Sequence, residues 1–180
     1  MAVPDDFRDD LIRILPNLRA FAISLTGRPD YADDIVQETI IRAWTQFESF
    51  EPGSNLKAWL FTILRNEYFS QIRKTKREVE DPDGIHAGQL VESPSQHGMM
   101  DLDDFKQALD KLPDDQREAV ILVGASGFTY EEAAEICAVA PGTIKSRVSR
   151  ARVSLVELLG LSDDDDFNPA ALTAGILPQG

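Results

Sequence analysis

Along most of the chain, apolar residues recur at spacings of three and four, the period of a helix with one buried face. Over residues 5–26 that stripe is Leu11, Ile14, Leu15, Leu18, Ala22 and Leu25, and Gly27 and Pro29 end it. A second helix is expected next. Asp30 is placed to cap it and Asp33 to sit in its first turn, where a carboxylate meets the positive end of the helix dipole. On this helix Val36, Ile40, Ala43 and Phe47 share a core-facing side, with Asp34, Gln37, Glu38 and Ile41 nearly opposite. The turn EPGSN, residues 51–55, leads into a third helix over about Leu56–Lys76.

The period is lost from residue 79 to residue 101, where Pro82, Gly84, Gly88, Pro94 and Gly98 interrupt the chain. It resumes at Leu102–Leu109 and again after Pro113, a residue suited to a helix start. Thr129 and Glu132 then form a capping-box pattern, a hydroxyl at the cap and a carboxylate three residues on. A short helix to about Cys137, a turn at Ala138–Ala140 and a longer helix from Pro141 make a helix-turn-helix. No segment alternates as a strand would. The expected fold is all-α, with two small helical domains, residues 5–78 and 102–160, joined by a flexible linker, residues 79–101. An acidic tail, residues 161–180, is expected to be largely disordered.

Charge changes this picture. The chain carries a formal −13, yet two short stretches are basic. Arg65 to Arg77 hold five bases and one acid, and residues 142–155 hold Lys145, Arg147, Arg150 and Arg152 with no acid. Elsewhere acids prevail: residues 79–101 have five and no base, and Asp163–Asp166 form an unbroken run. An acidic chain with two cationic islands is suited to touching a polyanion at two chosen places. The plainer reading is that each island is a solvated helix face. A single cysteine, Cys137, excludes an internal disulfide and a cysteine-built zinc site. The acidic start is unlike a signal peptide, and no apolar run approaches a membrane span.

On the last helix Ile144, Val148, Ala151 and Leu155 form the inward stripe. The opposite side carries Gly142, Lys145, Ser146, Ser149 and Arg150, with Arg147 and Arg152 on the flanks. Lys and Arg donate to guanine edges, and small hydroxyl residues reach bases or phosphates with little steric demand. The second helix of a helix-turn-helix is where such a face meets the major groove. The other island interleaves Trp59, Phe61, Tyr68 and Phe69 with Arg65, Arg73, Lys74, Lys76 and Arg77. That mixture suits single-stranded DNA, whose bases stack on rings while cations follow the backbone. Asn66 adds an amide able to pair with an unstacked base edge. Aromatics at helical spacing also build cores, and Trp59 and Phe61 are assigned mainly to packing.

The segments DYADDIVQETIIRAW, KAWLFTILRNEYFSQIRK, LPDDQREAVIL and TYEEAAEICAVAPGTIKSRVSRAR together resemble an extracytoplasmic-function (ECF) sigma factor of bacterial RNA polymerase. The similarity spans roughly residues 7–159. FAISLTG, KREVEDPDG and ILVGASGFTYEEAAEIC resemble the EcfG-type general stress response subgroup. The resemblance implies that Asp33, Asp34, Gln37, Glu38 and Arg42 dock on the clamp helices of the polymerase's largest subunit. It assigns Arg65, Asn66, Tyr68, Arg73 and Lys74 to the promoter −10 element, where a flipped base is captured. It assigns Thr143, Lys145, Ser146, Ser149 and Arg150 to the −35 element; many relatives carry a larger residue at the position of Ser149.

The implied partners are core RNA polymerase, promoter DNA and an anti-sigma factor of the NepR type, in the bacterial cytoplasm and at the nucleoid when active. No cofactor, membrane contact or catalysis is expected. His86 and His97 lack metal-ligand spacing. A rival reading is a sigma-like decoy that sequesters the anti-sigma factor. Such proteins carry a receiver domain after the sigma-like part, for which 180 residues leave no room, and a basic recognition helix serves them no purpose. An operator-binding helix-turn-helix regulator is a third reading, but it leaves the first 78 residues without a purpose.

Overall fold

The computed structural model describes residues 5–79 and 102–161, all helix and connecting turns with no strand among them. The first unit contains α1 (Asp5–Thr26), α2 (Pro29–Thr45) and α3 (Leu56–Val79), with a single 3-10 turn at Phe47–Ser49. The second contains α4 (Leu102–Asp110), α5 (Asp114–Gly124), α6 (Tyr130–Cys137) and α7 (Pro141–Leu159). The anticipated linker (apart from its first residue, Val79), both histidines and the acidic tail beyond Leu161 lie outside the described residues.

Local chemistry sets the helix ends. Gly27 takes a positive φ of 68°, which costs glycine little, and so closes α1. Pro29 opens α2 instead of terminating α1, because its fixed φ suits the first helical position and its missing N–H is not needed there. The expectation of an Asp30 cap is therefore corrected: Arg28 is the cap residue, without a side-chain bond. Asp30 sits in the first turn and pairs with Arg28 at 2.9 Å. Asp33 lies a turn further on and accepts from Arg19 of α1 at 2.7 Å. Asn55 caps α3, its Oδ1 accepting from the Ala58 amide at 3.1 Å.

The predicted stripes are buried at Leu11, Leu18, Ala22 and Leu25, and at Val36 and Ala43, while Ile14, Leu15, Ile40 and Phe47 are only partly covered. Phe21 and Ile35, absent from the expected stripes, are fully buried. The reason for Phe21 is that α1 is contacted on more than one side, by α2 and α3 and also by α4 and α5. A helix packed from several directions buries a wider arc than a single stripe.

The two units are thus packed against each other, with α1 against α4 and α5, and α3 against α6. Their apolar residues form one continuous core. Its centre is a file of three rings: Phe21 of α1 stacks on Phe61 of α3 at 4.8 Å, and Phe128, just before α6, meets Phe61 edge-on at 4.9 Å. Aromatic pairs in these orientations add to what their burial contributes.

Candidate nucleic-acid interface

In the second unit the turn geometry presents α7. Thr129 Oγ1 accepts from the Glu132 amide at 3.1 Å, and Glu132 Oε2 accepts from the Thr129 amide at 2.9 Å. This reciprocal cap fixes the start of α6 and holds the Glu132 carboxyl below its usual range. Ala138 adopts the left-handed conformation (φ 55°) at the end of α6, and Pro141 begins α7 three residues later. Ile144, Val148, Ala151 and Leu155 are buried as expected, and α7 packs on α4, α5 and α6.

That packing turns Gly142, Lys145, Ser146, Ser149 and Arg150 outward, all exposed, with Thr143 half-buried beside them. Ser146 donates to the Gly142 carbonyl at 3.0 Å. The Lys145 ammonium lies 5.7 Å from the centre of the Tyr130 ring, a cation–π contact from the preceding helix. Of the flanking cations, Arg147 reaches Asp115 at 3.2 Å and Arg152 is exposed.

The island on α3 is divided. Asn66, Arg73 and Lys74 are exposed, as are Lys76 and Arg77. Tyr68, expected to face DNA, packs inward: its side chain is core, 5% exposed, and its hydroxyl donates to the Leu25 carbonyl at 2.9 Å. Burial raises that phenol further above its ordinary value. Arg65 is drawn inward as well. It lies over the Phe69 ring at 4.8 Å, and its Nε donates to Glu118 of α5, so its charge is engaged inside the molecule. Phe61 is fully buried and Trp59 packs on Phe50 at 5.2 Å, in keeping with their assignment to the core.

Glu118 is almost wholly buried. Burial raises its carboxyl above the ordinary value, while Arg65 draws it back toward ionisation. The nearby Cys137 thiol is pushed up to about 12, first by burial and then by the Glu118 charge.

On α2, Asp34 and Gln37 are exposed and Glu38 is half-buried, accepting from Arg42 Nε at 3.1 Å. Arg42 also lies 2.9 Å from the buried Glu67 Oε2, although that oxygen receives no aligned hydrogen bond. Ile41 and Trp44 stand on the same outward side, 57% and 43% exposed. Trp44 was absent from the sequence-derived set. Its spacing of seven from Gln37, two helical turns, is the signal that places it there. Arg42, Glu67, Gln71 and Lys74 line a cleft of about 880 Å³ between α2 and α3. Among the described residues no helix is long and apolar enough to cross a membrane, and no cluster of metal-ligating side chains occurs.

Two family models match the chain, Sigma-70 region 2 over residues 11–78 and Sigma-70 region 4 over residues 102–155. The chain is 58% identical over 169 residues to the ECF RNA polymerase sigma factor EcfG of Rhodopseudomonas palustris, covering 94% of this chain and 93% of that protein. It is 33% identical over 150 residues to the sigma factor SigM of Bacillus subtilis, covering 81% and 90%. Among solved structures it resembles the sigma factor RpoE of Bartonella quintana in complex with the anti-sigma factor NepR. That match has a TM-score of 0.79 and 59% identity, covering 88% of this chain and 99% of that one.

Proposed function

The chain belongs to the extracytoplasmic-function family of RNA polymerase sigma factors, and from that premise we propose how its residues divide the work of initiation. Members of this family are non-catalytic subunits that direct core polymerase to promoters. Here the second unit reads the −35 element through Lys145, Ser146, Ser149 and Arg150, with Thr143 at the edge. The observation that carries this is the outward cationic face of α7, on the second helix of a capped helix-turn-helix, with every apolar residue of its inner stripe buried.

In the first unit, Asn66 captures an unstacked base of the −10 element, while Arg73 and Lys74 follow the backbone. Arg65 joins them once its partner inside the protein lets go. The outward side of α2, with Asp33, Asp34, Gln37, Glu38 and Arg42, docks on the clamp helices of core polymerase. Exposed Ile41 and Trp44 supply the apolar part of that footprint. An anti-sigma factor of the NepR type, the partner of the Bartonella relative, holds the chain inactive. When active, the protein accompanies polymerase on the nucleoid.

Free protein binds duplex DNA weakly, because each cationic face neutralises few phosphates and the acidic remainder opposes it. On polymerase both units act together at a raised effective concentration. The decoy reading is not favoured, since the similarity to EcfG runs through both units. The test is transcription reconstituted from core polymerase and candidate promoters, with and without the anti-sigma protein. Promoter-specific initiation that vanishes in the Lys145→Ala/Arg150→Ala double variant is expected. No start-site selection by the wild-type holoenzyme would overturn the reading.

A further inference from the structure

The inner side of α3 is fastened to the second unit over its first half. Lys57, Phe61 and Arg65 recur every four residues and so share one face. Lys57 Nζ donates to the Ser126 carbonyl at 2.6 Å and lies 5.0 Å from the centre of the Phe128 ring. Phe61 meets that same Phe128 ring edge-on. Arg65 donates to Glu118, whose side chain is 1% exposed. Before the helix begins, Asn55 Nδ2 donates to Glu132 Oε1 of the capping box at 2.9 Å. Polar contacts therefore lie at both ends of the fastened face, with the aromatic contact between them.

We propose that this face is an autoinhibitory clasp in which Glu118 competes with promoter DNA for the Arg65 guanidinium. The proposal rests on the assignment of α3 to the −10 element. Carboxylate and phosphate are both oxyanions that accept from the guanidinium fork, so one Arg65 side chain cannot serve both at once. Asn66, the next residue, is exposed, so a strand approaching it meets a helix whose neighbouring cation is already occupied.

The energetics favour exchange over simple opening. A buried ion pair adds little net stability when intact, because desolvation offsets the attraction. Removing one partner alone is strongly unfavourable, since a charge is left buried without its counterion. Arg65 therefore leaves Glu118 readily only when the units part and solvent or another anion receives it. The chain closes on itself with no second protein needed, and an inhibitor that prefers the closed form has only to strengthen an existing joint.

The experiment compares the full-length wild type with Glu118→Ala and Lys57→Met. The second variant keeps an apolar stem over Phe128, removes the bond to Ser126, and leaves the buried ion pair and the proposed DNA contacts in place. Small-angle X-ray scattering reads the separation of the units, and circular dichroism confirms helix content. Transcription with limiting core polymerase and no anti-sigma protein reads the concentration needed for half-maximal initiation. A larger radius of gyration in both variants is expected. With it should come a half-maximal concentration lower by about tenfold for Glu118→Ala, the effect of leaving Arg65 unpaired in the closed form, and by less for Lys57→Met. Unchanged dimensions, or expansion with unchanged or poorer initiation in the folded Lys57→Met variant, would overturn the clasp. Wild-type holoenzyme that selects no promoter would instead count against the sigma reading, whatever the scattering shows.

Discussion

Helices α3 and α7 each carry a cationic island, and they treat it oppositely. On α7 the apolar stripe faces its own unit and the proposed readers face solvent. On α3 the helix is buried from two directions, by α1 and α2 on one hand and by the α5–α6 region on the other. Part of its island is consequently absorbed: Tyr68 enters the core and Arg65 meets Glu118. A basic residue stands ready for a contact only where the surrounding fold leaves it unclaimed, and helical period alone does not reveal a claim made from a distant part of the chain.

The largest effect expected from breaking this contrast is at the centre of the ring file. Phe61→Ala should cost about 3–5 kcal/mol of stability, the usual loss for a buried aromatic, visible as a lower midpoint in urea unfolding. Next come the outward residues of α7. Lys145→Ala or Arg150→Ala should leave the urea midpoint nearly unmoved while each weakens promoter discrimination by about 1–3 kcal/mol, measured as initiation from matched and mutated −35 sequences.

Tyr68→Phe sharpens the comparison from the other side. It removes a hydroxyl bonded to the Leu25 carbonyl and should cost about 1 kcal/mol of stability, with promoter selectivity unchanged. Selectivity lost without stability would return Tyr68 to the DNA. The smallest effect concerns pH. The Cys137 thiol stands at about 12 in the fold against an ordinary 9.0, so its stabilising contribution is complete below the ordinary value and is lost as pH climbs through 12. Thermal melts in alkaline buffer should decline less steeply in Cys137→Ala, with a remaining slope from Tyr68, whose phenol is shifted in the same direction.

What could be read beforehand follows the same division. The helices, the capping box at Thr129 and Glu132, the turn through Ala138 and the outward face of α7 all depend on residues within a few positions of one another. Spacing and local hydrogen bonding make such features legible in the sequence. Asp30 was misassigned because a proline two residues after a glycine can end one helix or begin the next, and here it begins one. Phe21, Ile35, Tyr68 and Arg65 needed knowledge of packing across helices. Arg65 and Glu118 are 53 positions apart, and a charge pattern contains nothing that joins them.

Asn55 and Glu132 have a consequence for how the halves come apart. Each side chain gives one polar atom to a helix start within its own half, and only its second polar atom to the other half. Parting therefore strips away the outer bond and leaves the inner one in place, so both surfaces emerge with their helix starts still tied and can rejoin without rebuilding either end.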